Sequence, residues 1–100
     1  MTPTTEELKQ ALGTIWALVY RATQVAYLDH EQTTKLQHAM SIISAGREGD
    51  DYFNRWASYV QGCVRTSGIL SIPSRKPHGT EEIIADCERL QRHLERGNSE

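Results

Sequence analysis

No stretch of this chain stays apolar for the roughly 20 residues that a membrane-spanning helix needs, so no span is expected. The start, Met1-Thr2-Pro3-Thr4, lacks the basic segment that opens a secretory signal. Together these point to a cytoplasmic protein. Cysteine is scarce: Cys63 and Cys87 are the only two, each within an apolar helical stripe, where a free thiol acts as a small hydrophobe. A disulfide framework is therefore not expected. Surplus charge is scarce as well, the formal net charge being -2, so the chain as a whole has no field to gather polyanions. The stretch from 51 to 78 is mildly positive and 79 to 100 acidic. Internal repeats and low-complexity segments are absent.

One hundred residues allow one domain with one core. The apolar share of 38% is lean for a globular domain, which leaves room for a partner to supply missing contacts.

What is present is helical periodicity. Thr4 to Glu7 reads as a capping box, with Glu6 and Glu7 at the positive end of the helix dipole. From there Leu8, Leu12, Ile15, Val19, Ala22 and Ala26 recur at steps of four and three. Ala11, Leu18 and Val25 widen this seam on one side, and Trp16, Tyr20 and Tyr27 on the other. At 100° per residue the apolar arc spans roughly 220°, wider than the stripe of an ordinary surface helix. The first helix is thus expected to be central, with one flank facing the chain's own core and the other a second molecule.

Asp29 and Gln32 form a second capping box, opening a helix whose stripe is Leu36, Ala39, Met40 and Ile43. Gly46 or Gly49 is expected to close it in the left-handed conformation. Asp50 or Asp51 caps a third helix with Phe53, Trp56, Ala57, Val60, Cys63 and Val64 inward, and Gly68 ends it with Ile69 folding back. Pro73 and Pro77 keep 69–79 from being helical throughout. Thr80 then caps a fourth helix with a narrow seam of Ile83, Cys87, Leu90 and Leu94, and the chain from Gly97 to Glu100 is expected to fray. The reading is an all-α, small four-helix domain over 1–100, with helices at about 5–28, 30–46, 51–67 and 81–96 and a Pro-containing loop at 69–79 before the last helix.

Chemistry is poorly served by this sequence. Cys63, His78, Cys87 and His93 supply thiols and imidazoles, but structural zinc sites bring ligands in close pairs. Cys87 and His93 stand about 240° apart on a helix. His30 and His38 share a face without a completing carboxylate. Asp29-His30-Glu31 and Asp50-Asp51 read as helix caps rather than paired catalytic acids. Neither an enzymatic activity nor a metal or cofactor is expected. A DNA-reading helix needs polar side chains for base edges, and the third helix offers aromatics and small apolar residues instead.

By elimination the chain is expected to work by protein–protein contact, as an anti-activator, inhibitor or adaptor acting on a transcription regulator or an enzyme, and to form a homodimer. Tyr and Trp are the side chains most enriched at interface hot spots. Trp16, Tyr20, Tyr27 and Tyr59, at the edges of the apolar arcs, are the expected contacts, with Arg75 and Lys76 of the loop beside them. Two rival readings are a nucleic-acid-associated regulator using the basic loop 69–79 and a helical subunit of an enzyme complex.

Overall fold

The computed structural model describes residues 3–25, 28–46, 50–70 and 77–98. Within them the chain forms four helices and no strand: α1 (Thr5–Val25), α2 (His30–Ala45), α3 (Asp51–Ser67) and α4 (Thr80–Asn98). The all-α reading holds.

Local chemistry sets the helix ends. At the start of α1 the Glu7 amide donates to the Thr4 hydroxyl at 3.1 Å and the Thr4 amide to the Glu7 carboxylate at 3.2 Å, a reciprocal box. The same exchange between Asp29 and Gln32 opens α2. At α3 the Asp50 carboxylate accepts from the Phe53 amide at 3.0 Å. Gly68 closes α3 with φ 86, a left-handed conformation that glycine adopts without a Cβ penalty. Ile69 folds back into the core beyond it. Buried Ser67 completes this end: its hydroxyl accepts from the Ile69 amide, and its carbonyl accepts from the His78 amide at 3.0 Å.

Several boundaries differ from the sequence expectation. The described part of α1 runs to Val25, residues 26 and 27 lie outside the described residues, and Leu28, expected as the last residue of the helix, is a buried core residue outside any helix. Gly46 has φ −87, not a left-handed value. It is needed for space instead, because a Cβ there would collide with the Leu8 side chain. Gly49 lies outside the described residues. Thr80 is the first residue of α4 rather than its cap; the Gly79 carbonyl takes the first helical bond, from Ile83. The same helix runs two residues past the expected end, through Asn98.

Helix α1 packs between α2 and α4, α4 packs between α1 and α3, and the α2–α3 seam closes the ring most thinly. Cross-links fix neighbours as antiparallel: the Gln91 amide donates to the Lys9 carbonyl while Trp16 meets Glu88, and Asp50 meets His93 while Trp56 meets Arg89. Leu12, Ile15, Val19, Leu36, Ile43, Val60, Val64, Ile83 and Leu90 are fully buried and form one core. Cys87 belongs to it as well, and Cys63 is half-buried at its edge; both are free thiols. Among the described residues, the polar side chains of Gln61, Ser67 and Asp86 are buried with this core. Gln61 bridges the thin seam, its amide donating to the Met40 carbonyl at 3.0 Å and to the Ser44 hydroxyl. No helix among the described residues is long and apolar enough to cross a membrane.

Candidate functional site: an aromatic face astride the last helix

The central position of α1 accounts for most of its apolar arc. Leu8, Ala11, Leu12, Ile15, Val19 and Ala22 are buried between α2 and α4. The Trp16 flank is only partly outward, because Trp16 packs against the core and its indole Nε1 donates to Glu88 Oε1 on α4 at 3.1 Å. A buried or half-buried indole seeks such a partner. One turn later Tyr20 stacks flat on Trp16, with centroids 5.4 Å apart and planes 4° from parallel, yet remains 50% exposed.

Across α4 the third helix builds a matching rim. Trp56, read from the sequence as core, is half-buried at the edge, because Phe53 and Ala57 occupy the inward positions beside it. Tyr59 meets it edge-on at 5.9 Å and Tyr52 lies tilted at 6.5 Å. The Arg89 guanidinium sits 4.0 Å over the Trp56 ring, the geometry of a cation–π contact. Tyr20, Tyr52 and Tyr59 are the exposed large hydrophobic residues among those described, and each touches a side chain that in turn touches α4, or α4 itself.

Helix α4 supplies the polar centre. Asp86, almost fully buried, accepts from Arg89 Nη1 at 2.6 Å and so aims the guanidinium at Trp56. Its other oxygen has no partner among the described residues. Burial pushes the Asp86 carboxyl above its ordinary range, the Arg89 charge pulls it back, and Glu82 adds a further push upward. His93 stacks on Tyr52 at 4.4 Å, and its Nε2 lies 2.8 Å from Asp50 Oδ2, tying the end of α4 to the start of α3. The Asp50 carboxyl is held below its ordinary range, first by the Phe53 amide and then, against the opposing effect of burial, by His93. A shallow groove of about 380 Å³ runs between Tyr52 and the α4 residues Glu88, Arg89, Arg92, His93 and Arg96.

Burial raises the Cys87 thiol to about 12, and desolvation also raises Cys63, so neither resembles an activated thiolate. Asp29 and Asp50 are engaged as helix caps. A second groove of about 570 Å³ lies between α1 and α2, floored by Ala11 and Ala39.

Of the contacts expected from sequence, Trp16 and Tyr20 lie on the α1 side of α4 and Tyr59 lies on its α3 side. Tyr27, Arg75 and Lys76 lie outside the described residues. Sequence reasoning missed Tyr52, Trp56, Arg89 and His93 as parts of the face. Their signal was present in the spacing: Tyr52, Trp56 and Tyr59 fall on one side of α3, while Arg89 and His93 fall on one side of α4. Comparison of the chain with protein-family models, with curated proteins and with solved structures finds no match.

Proposed function

We propose that this chain is a non-enzymatic regulator that works in the cytoplasm by protein–protein contact, through the aromatic face formed by α1, α4 and α3. The observation that carries the reading is the location of Tyr20, Tyr52 and Tyr59: all three flank α4, and all are 43% to 50% exposed. Amphipathic rings with few rotatable bonds give contact area at low entropic cost, which is why they dominate interface hot spots. Polar partners already fix the surrounding side chains, so the face is organised before anything binds. Trp16 is held by Glu88, Trp56 by Arg89, and Arg89 by Asp86. Preorganisation of this kind lowers the cost of association.

A regulator of this build acts as an anti-activator, inhibitor or adaptor, covering a surface on a transcription regulator or an enzyme. Capture from the native host with tagged wild type and with the double variant Tyr20→Ser, Tyr59→Ser tests the reading. The partner held by the wild type should be lost from the variant, while circular dichroism and melting of the isolated variant, at a concentration low enough to keep the chain monomeric, stay close to wild type. Retention of the partner by a folded double variant would refute the role of this face.

A further inference from the structure

We infer that the α4 face closes on a second copy of this chain, in a two-fold arrangement in which the two α4 helices cross antiparallel at Ala85; the inference rests on the proposal that this face is a protein-contact surface. In the resulting dimer the free chain covers its own aromatics.

The α4 face is complementary in charge to itself. Ala85 is exposed at the centre of the outer surface of α4, and its small side chain lets a second helix approach closely. Around it, by helical geometry, Glu81 and Arg92 lie on the side toward α1, and Glu82 and Arg89 on the side toward α3, all within about 60° of Ala85. The contacts agree with this placement: Glu88, on the Glu81 side, bonds Trp16 of α1, and Arg89 covers Trp56 of α3. A two-fold axis that runs midway between the two α4 helices, at right angles to both and parallel to their plane of contact, reverses the helix but keeps each flank against its own copy. Isologous interfaces require this self-matching.

Under that rotation Glu81 meets the partner's Arg92, and Glu82 meets the partner's Arg89. Glu81 and Arg92 are equidistant from a point between Asp86 and Cys87, and Glu82 and Arg89 from a point between Ala85 and Asp86. The two pairs therefore share one centre to within a single residue, about 1.5 Å of helix. A single axis satisfies both, and each forms twice. The aromatics lie at the same level. Trp16 sits beside Glu88 and Trp56 beside Arg89, and Tyr20 and Tyr59 each follow about one turn nearer the start of α4. The rotation places each aromatic rim against the same rim of the second copy. Arg92 now leans on Glu88 at 3.9 Å with both side chains largely exposed, a weak pair that exchanges readily for an intermolecular one.

Charge swaps read out by sedimentation of the full chain test the arrangement. Wild type should dimerise. Glu81→Arg alone places Arg against Arg at both ends of the crossing, and Arg92→Glu alone places Glu against Glu; each should weaken self-association by at least about tenfold. An equimolar mixture of the two variants should restore it as a heterodimer, since each chain then meets the opposite charge. That rescue also shows that both variants are folded. A monomeric wild type overturns the inference, as does a dimer indifferent to both swaps. If Tyr20→Ser with Tyr59→Ser dissociates a dimer that ignores the swaps, the antiparallel crossing falls while the aromatic face stands. If neither set of changes affects the dimer, the α4 face is not the dimer interface and the inference falls, while the partner-capture test still decides the role of the face.

Discussion

Single atoms decide the behaviour of two positions. Gly46 is neither left-handed nor exposed, and what it lacks is the point: a Cβ there would collide with the buried Leu8 side chain. At this φ, Gly46→Ala would ordinarily add stability by restricting the unfolded chain. It should instead cost about 1 kcal/mol, at the low end for overpacking because the obstacle is a side-chain tip. Combined with Leu8→Ala, the added cost should vanish, and a double-mutant cycle in urea reads the coupling. The second position is Asp50, held below its ordinary 3.8 by the Phe53 amide and by His93. A carboxyl depressed in the folded state contributes stability that is full above its unfolded value and lost as the pH falls through its folded value. Asp86 has the opposite sign: raised by burial, it costs stability at neutral pH, and that cost is relieved as the pH falls through its raised value. Asp50→Asn keeps a capping oxygen and removes the charge. Its deficit against wild type should close as the pH drops below 3.8, which urea midpoints at stepped pH will show. A deficit independent of pH would mean that the charge of Asp50 does not matter.

At the scale of the element, much was legible in the sequence. Capping chemistry is local, so Thr4 with Glu7, Asp29 with Gln32, and Asp50 ahead of Phe53 could be read from spacing alone. Apolar periodicity likewise identified the buried faces of α1 and α2. What could not be read depends on which helix lies beside which. Trp56 follows the apolar rhythm of α3, yet its neighbour across the gap is the Arg89 guanidinium rather than another core side chain. Gln61 was invisible for the same reason. A glutamine in mid-helix reads as surface, and only the α2–α3 contact buries it against the Met40 carbonyl. Because that seam is the thinnest in the bundle, Gln61→Ala should cost about 1 to 3 kcal/mol. The loss should appear first as faster amide exchange in α2. Equal loss of protection in all four helices would show that the seam is not a separate weak point.

For the whole molecule, α1 unites fold and face. Its central residues Leu12, Ile15 and Val19 are fully buried, while Trp16 and Tyr20 on the next strip join the aromatic surface around α4. The 220° arc read from the sequence is therefore shared among α2, α4 and the open face. The breadth of the arc was visible from spacing; the helix covering the Trp16 flank was not, because α4 lies some 70 residues away in the chain. If the exposed tyrosines are free to serve a partner, they contribute little to holding the fold together. Urea unfolding tests this directly, at a protein concentration low enough to keep the chain monomeric so that folding and association are separated. Leu12→Ala should lose about 2 to 5 kcal/mol, as truncation in a packed core does. The double variant Tyr20→Ser, Tyr59→Ser should stay within about 1 kcal/mol of wild type, since surface changes rarely cost more than about 0.5 kcal/mol each. If the double variant unfolds as readily as Leu12→Ala, the tyrosines are structural and the aromatic face is not a surface held ready for a partner.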